Sequence, residues 1–242
     1  MELDAALIAK VQNYQPPRAR LTAFRDVPII FMVGISGAGK NAVMRQLEAQ
    51  YPGAYHRFVT HTTRAPRENH GVMEQNGIEY HFIDFDAANH MLDAGEYVEA
   101  NVYSNNIYGT SVTELVTAQE EGNILMGDID VNGVSHFHDL LPHSKPIFIL
   151  PPSYEVWQER FFTRYKEVVD EQDWRNRMVT AKREIEHVLA TPYYYMVVND
   201  DLKQTATTID AIASGELANH MPHHAREVAE QILAQLNQTL EQ

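Results

Sequence analysis

Three glycines followed by a lysine are the residues of this chain most plainly built for chemistry. In Gly34-Ile-Ser-Gly-Ala-Gly-Lys40 the pattern Gly-x4-Gly-Lys has the spacing of a phosphate-binding loop. Gly34, Gly37 and Gly39 remove the side chains that would hold a backbone away from phosphate. The amides of the loop, those of Ser36 and Ala38 included, then wrap the phosphates, and Lys40 reaches the β/γ oxygens. In such loops the next residue is usually Ser or Thr, whose hydroxyl ligates Mg²⁺. Here Asn41 and Ala42 follow, and neither carries a hydroxyl. The Asn41 carbonyl oxygen is still a hard donor, able to hold Mg²⁺ directly or through one of its waters.

Further charged residues sit where ligand chemistry is done. Arg64 and Arg67 flank Pro66 after the hydroxyl residues Thr62 and Thr63, a rigid turn suited to clamping a small phosphate or, equally, a solvated basic turn. Asp128 ends the apolar run Asn123-Ile-Leu-Met-Gly, with Asp130 two residues on. An acid at the carboxyl end of a core strand lies where α/β sheets bind their ligands. Arg160 and Arg164 are one helical turn apart, and a later helical stretch carries Arg175, Arg177, Lys182 and Arg183.

The elements that must position these residues alternate. Val27–Val33 reads as a buried strand and Asn41–Ala49 as a helix, ended by Tyr51-Pro-Gly53. A turn-to-strand segment over 74–83, a helix over 85–92 and a strand over 95–103 follow. The segment 105–110 reads as a loop into a helix over 111–119. Strands at 123–128, 146–150 and 194–198 are interleaved with helices at 153–164, N-capped by Ser153, at 173–189 and after Asp201. Such alternation predicts a parallel sheet covered by helices on both faces. A short amphipathic helix (Leu3, Ala6, Leu7, Val11) precedes this core as an appendage, and a second amphipathic helix spans roughly 225–240.

Composition excludes several classes. With 242 residues, 44% hydrophobic and 21% charged, the chain has the make-up of a soluble globular protein. No apolar run is long enough to span a membrane, the acidic start Met-Glu-Leu-Asp is unlike a signal peptide, and there are no cysteines; a cytoplasmic location is expected. A net charge of −14 argues against a nucleic-acid polymer as partner. It also means that a site for anionic nucleotides must gather the scarce arginines locally. The twelve histidines read as solvent-exposed groups rather than a metal cluster.

From about Val27 to Leu202 the chain resembles guanylate kinase. The resemblance is carried, in order, by Gly-Ile-Ser-Gly-Ala-Gly-Lys40, His61-Thr-Thr-Arg-Ala-Pro-Arg67, Asn76-Gly-Ile-Glu-Tyr80, Glu99 ahead of Asn106-Ile-Tyr-Gly-Thr110, Asp128-Ile-Asp-Val-Asn-Gly133, Ile149-Leu-Pro-Pro-Ser153 and Val198-Asn-Asp-Asp-Leu202. It implies a P-loop NTPase fold, three-layer α/β/α with a central parallel sheet, plus a small mixed α/β GMP-binding subdomain and a helical lid. The implied division is an N-terminal helical extension at 1–26, a kinase core at 27–59 and 111–202 with the lid at about 160–177, a GMP-binding subdomain at 60–110, and a C-terminal helical extension at 203–242. The implied reaction is transfer of the γ-phosphoryl of ATP to GMP, and to dGMP, with Mg²⁺ accompanying ATP.

Carried over residue by residue, the resemblance implies that Arg64, Arg67, Tyr80 and Tyr108 hold the GMP phosphate. Glu99 would accept from guanine N1–H and its 2-amino group, with Thr60, Thr110 and Asp128 completing base recognition. A carboxylate set against two adjacent donors rejects adenine, which would leave it desolvated and unpaired. The same resemblance assigns Arg160, Arg164 and Arg177 to the lid over the transferring phosphoryl, Asn199 to the neighbourhood of adenine, and Asn41 with Asp128 to the metal, through water. Five of the scarce basic residues thus fall on phosphate positions. Departures are equally specific: Asn41-Ala42 lacks the loop hydroxyl, His61 stands where Ser is common, Ala100 replaces an aromatic residue, and the stretch from Glu68 to Met73 is about four residues longer than usual. A monomer or a homodimer, a related phosphotransferase such as a ribose bisphosphokinase, and a weak or inactive nucleotide-binding module of the same fold are the competing expectations.

Overall fold

The computed structural model describes residues 3–17, 21, 24, 26–69, 72–164, 171–218 and 222–241, the side chains of Asn69, Asn132, His136 and Arg164 excepted. The chain forms two compact units, one of residues 1–28, 56–127 and 136–143, the other of residues 29–55, 128–135 and 144–242.

The second unit carries the nucleotide-loop motif. Its strands β1 (Ile29–Val33), β10 (Lys145–Leu150) and β11 (Tyr195–Val198) are parallel, in the order β11-β10-β1. Phe31 pairs with Pro146 and Ile147 with Tyr195, and β1 is buried along its whole length. That two-sided burial is why these strands read as unbroken apolar runs. Because the strands are parallel, Gly34, Pro151 and Asn199, which follow them, leave from the same edge of the sheet. Helix α2 (Lys40–Gln50) buries Val43, Met44 and Leu47 at helical spacing and packs against α8 (Leu202–Ser214). Asp201 N-caps α8 by accepting from Gln204 N at 2.8 Å.

Two further helices carry the later arginines. Helix α6 (Tyr154–Arg164) starts where Ser153 Oγ accepts from Val156 N at 3.2 Å, and α7 runs from Glu171–Ala190. The C-terminal helix α9 (His223–Leu240) lies against α7, α6 and strands β10 and β11. Its apolar face, Ala225, Val228, Ala229, Ile232 and Leu236, is buried within its own chain. Arg175 Nη2 donates to Leu240 O at 2.8 Å, and Lys182 donates to Asn237 Oδ1.

The first unit is built on a mixed sheet, β6 (His81–Phe82), β3 (His61–Thr62), β8 (Asn106–Ser111) and β7 (Tyr97–Tyr103), in that order. β3 is parallel to β6 and antiparallel to β8, and β7 and β8 form an antiparallel hairpin. β8 corrects the expectation of a loop over 105–110. Ser104 and Asn105, both at positive φ (46° and 62°), make the two-residue turn that starts it. The expected turn into a strand over 74–83 takes the form of a turn closed by a bridge between Asn76 and Tyr80, followed by the two-residue strand His81–Phe82. Glu68–Asn69 and Val72–Met73 (β4 and β5) pair antiparallel.

Helix α1 (Ala5–Gln12) is more than an appendage. Leu7 and Val11 enter one apolar cluster with Ala88 and Leu92 of α3 (Phe85–Ala94), Tyr97 of β7 and Ile107 of β8. Tyr14 Oη donates to Tyr97 O at 2.7 Å, and Lys10 Nζ pairs with Asp93 at 2.6 Å. The unit is completed by α4 (Val112–Glu121), by β2 (Tyr55–Arg57) and β9 (Ile124–Asp128), where Phe58 N donates to Met126 O, and by part of α5 (Val131–Leu140). Gly127 is required here: a Cβ would fall 1.7 Å from the Phe58 ring.

Candidate active site

In the second unit the loop after β1 is shaped by its glycines. Gly34, Gly37 and Gly39 have φ of 140°, 92° and 98°. A Cβ on Gly34 would lie 2.4 Å from Ile149 O, and one on Gly39 would lie 2.3 Å from Asn199 Nδ2. Ala38 N donates to Ile35 O, closing a turn, and Gly39 delivers the chain into α2. A glycine-rich turn leading into a helix start has the amide arrangement and dipole that suit an anion. Lys40 folds back over the loop, donating to Gly34 O at 2.6 Å with its Nζ 3.7 Å from Asp128 Oδ1.

Asn199 and Arg160 belong to the same neighbourhood. Asn199, buried after β11, donates from Nδ2 to Ala38 O at 2.9 Å, and its own carbonyl accepts from Arg160 Nη2 at 3.1 Å. Arg160 Nη1 and Asn199 Oδ1 are buried and find no hydrogen-bond partner among the described residues. An unpaired buried guanidinium nitrogen is costly unless an anion completes it, and a nucleotide phosphate is such an anion. Arg177 is exposed in the first half of α7; the side chain of Arg164 lies outside the described residues.

Asp128, exposed at the end of β9, faces Lys40, and Asp130 caps α5 by accepting from Gly133 N at 2.7 Å. The sequence reading missed a third carboxylate, Glu184 of α7. Burial pushes its carboxyl up, with Lys40 pulling it down and Asp130 and Asp128 pushing it up further. Among the described residues no three such groups are arranged to hold a metal by themselves. A nucleotide-borne Mg²⁺ needs no such cage, because phosphates and waters fill most of its six positions. The hard oxygens of Asp128 and Asp130 beside the loop fit that role; Asn41 and Ala42 are exposed at the start of α2.

The first unit gathers Thr60, Arg64, Arg67, Tyr80, Glu99, Tyr108 and Thr110. Arg64 is buried, and its Nη1 and Nη2 lie 2.8 and 3.0 Å from the two carboxylate oxygens of Glu74. Nη1 also donates to Ala65 O, and the guanidinium sits 5.1 Å over the Tyr80 ring and 5.8 Å from that of Phe82. Burial works against the Arg64 charge, but Glu74 outweighs it and holds the group firmly protonated. Glu74 also accepts from Arg67 N at 2.8 Å, so one carboxylate sets the whole Thr62–Arg67 turn. The Arg67 side chain is exposed. Tyr80 and Tyr108 meet edge-on, 6.0 Å between centroids.

Glu99 faces Thr110 across the hairpin after a bulge between Tyr97 and Glu99, and accepts from Thr110 Oγ1 at 3.1 Å. Thr60 is half-buried ahead of β3, and its carbonyl accepts from His81 N. The histidines are less uniformly exposed than expected. His61 stacks on His81 at 4.7 Å, and His56 and His81 reach Glu114 of α4 at 3.1 and 3.5 Å. Burial, with His81 adding to it, lowers the His61 ring to about 4, against the opposing pull of Glu114.

Comparison with known proteins decides the family. The guanylate kinase family model matches residues 26–215 of the chain. The chain belongs to the guanylate kinase family. A guanylate kinase of Vibrio vulnificus is 34% identical over 182 residues, 75% of this chain and 84% of that protein. One from Idiomarina loihiensis is 32% identical over 189 residues, covering 78% and 86%. Among solved structures, guanylate kinase from Anaplasma phagocytophilum superimposes with a TM-score of 0.56 at 26% identity, over 82% of this chain and 88% of that one. The fold class is therefore that of the P-loop kinases, with the central parallel sheet, the small mixed sheet and the lid helices. Within this guanylate kinase family member, α1 and α9 fall outside the matched span. No helix among the described residues is long and apolar enough to cross a membrane.

Proposed function

We propose that this chain transfers the γ-phosphoryl of ATP to the phosphate of GMP, and of dGMP, yielding ADP and GDP. Membership of the family supports phosphotransfer in general. The observation that carries the choice of acceptor is Glu99, a half-buried carboxylate oriented by Thr110 on the sheet that also bears the Arg64 clamp. Its two oxygens match the paired N1–H and 2-amino donors of guanine and leave adenine without a complement.

In this reading the loop amides and Lys40 bind the ATP phosphates, and Arg160 and Arg177, with Arg164, offset charge that develops on the transferring phosphoryl. Arg64, Arg67, Tyr80 and Tyr108 fix the acceptor phosphate, and Thr60, Thr110 and Asp128 complete the base site. A loose, metaphosphate-like transition state asks for positioning and charge stabilisation rather than a strong base, and every assigned residue supplies one of these. Mg²⁺ carried with ATP would be held from the protein side by Asp128, Asp130 and the Asn41 carbonyl, and it neutralises phosphate charge when bound.

The absent hydroxyl at positions 41 and 42 favours one second reading, a slow or inactive nucleotide-binding module of the same fold. An ADP-release assay with ATP and Mg²⁺, run against GMP, dGMP, AMP, UMP and ribose bisphosphate, separates the two. Turnover confined to the guanine nucleotides is the expected result. Binding of GMP without turnover would transfer the assignment to the binding module, and turnover with ribose bisphosphate would move it to a different acceptor.

A further inference from the structure

The chain has two tryptophans, one on each arginine-bearing helix; they pack on each other, and Trp157 also touches the phosphate loop. Trp157 of α6 is fully buried, and its indole N–H donates to Ser36 O at 2.7 Å. The same ring borders Gly37: a Cβ there would lie 3.5 Å from both Cδ1 and Nε1. On its other side Trp157 packs on Trp174 of α7, centroids 4.9 Å apart, and Trp174 also touches Phe161 and Phe162 at 4.8 and 5.0 Å. Trp174 is half-buried in a helical turn whose neighbours, Gln172, Asp173, Arg175 and Asn176, are exposed.

Two geometric consequences follow. A trans peptide is planar, so its C=O and N–H point in opposite directions. Anchoring Ser36 C=O on the indole therefore fixes the direction of the Gly37 N–H, away from the ring, among the donors the loop offers to phosphate. Helical spacing places Trp157 one turn before Arg160, and Trp174 one turn before Arg177. The stack thus lies beside the roots of two arginines.

We propose that Trp157 is a positioning residue for the nucleotide phosphates, and that its stack on Trp174 ties the phosphate loop to both arginine-bearing helices. The inference rests on the reading of this loop as the ATP site. Trp157→Phe keeps a ring against Gly37 and Trp174 but leaves Ser36 C=O without its donor. Such a loss weakens phosphate binding roughly tenfold. Trp174→Leu keeps apolar bulk and removes the stack, so it loosens the arginines rather than the loop.

The test pairs calorimetric titration of ADP and of GMP with steady-state kinetics. Trp157→Phe is expected to raise the ADP Kd and the ATP KM roughly tenfold with the GMP Kd unchanged. Trp174→Leu is expected to lower kcat with the ADP Kd within about twofold, the pattern of contacts made only in the transition state. A reading on the unmutated chain guards against variants that fail to fold. The Trp157 indole N–H gives one of only two such resonances in the ¹⁵N spectrum, and it should move on saturation with ADP and stay fixed with GMP. An unmoved resonance, an unchanged ADP Kd in Trp157→Phe, or an equal loss of ADP and GMP binding would overturn the proposal. A wild-type chain that binds no ADP removes the ATP-site reading and this inference together. One that binds ADP but leaves GMP unphosphorylated removes only the reaction, and the tryptophan result still stands or falls by itself.

Discussion

Arg64 is buried with both of its terminal nitrogens on Glu74, and this one pair governs how the acceptor clamp responds to substitution. Removing the carboxylate strands a buried cation, so Glu74→Ala should cost about 3 kcal/mol in urea unfolding. A lysine at position 64 keeps the charge but not the two-pronged geometry. Arg64→Lys should therefore raise the GMP KM at least about tenfold while leaving the ADP Kd unaltered; an unchanged GMP KM would take Arg64 out of the phosphate site. His61 supplies a pH dependence. Its ring sits at about 4 in the folded chain against an ordinary 6.5, because burial and His81 disfavour the charged form more than Glu114 and the Gly109 backbone favour it. A group whose folded pKa is depressed stabilises above its unfolded pKa, and that stability is lost as pH falls towards the folded value. Between pH 7 and pH 5 the loss is about 2 kcal/mol, and His61→Asn should flatten the decline by that amount in paired urea titrations. Residues such as Lys40 and Arg64 were legible in the sequence because glycine and proline fix their surroundings locally. Glu74, His81 and Glu184 were not, since their roles depend on what the fold brings beside them.

At the scale of elements, legibility followed burial and period. The strands buried on both faces and helices α2, α7 and α9 read directly from apolar runs and helical spacing. β8 did not, because Asn105-Asn106 at its start and Gly109 within it look like loop residues. The turn uses Ser104 and Asn105 at positive φ, and Gly109 is forced by the Tyr97 ring, 2.6 Å from where its Cβ would be. The docking of α1 was also invisible, since Tyr97, to whose carbonyl Tyr14 just beyond the helix donates, lies 83 residues further along the chain. That docking has a functional reading. α1 packs on β7, which carries Glu99, so a loosened α1 should blur the guanine site first. Leu7→Ala, which opens a cavity in this cluster, is expected to cost about 3 kcal/mol. It should raise the GMP KM before it alters that for ATP; equal changes in both would mean that α1 acts on stability alone.

The whole molecule carries a net charge of −14, so the two polyanions of the proposed reaction would have to be held by local arrangements rather than by a basic surface. Most residues proposed for the two substrates fall in different compact units, Lys40, Arg160 and Asn199 in one, Arg64, Glu99 and Thr110 in the other, with Asp128 of the base site counted in the unit of Lys40. Ligands that bind only the folded state stabilise it by RT ln(1 + [L]/Kd), about 2.7 kcal/mol at a hundredfold excess over Kd. For a chain of this length that is a rise in Tm of about 5–10 °C for ADP with Mg²⁺, and a similar rise for GMP at matched saturation. The two shifts should be separable by substitution. Lys40→Ala should abolish most of the ADP shift and keep the GMP shift, whereas Glu99→Gln, which turns one acceptor oxygen into a donor facing guanine, should do the reverse. Thermal melts of the wild type and both variants, each with no ligand, ADP–Mg²⁺ or GMP, give nine curves that test the assignment of both sites at once. Loss of both shifts in either single variant would mean that the nucleotides share one site, and the division of donor and acceptor between the two units would fail.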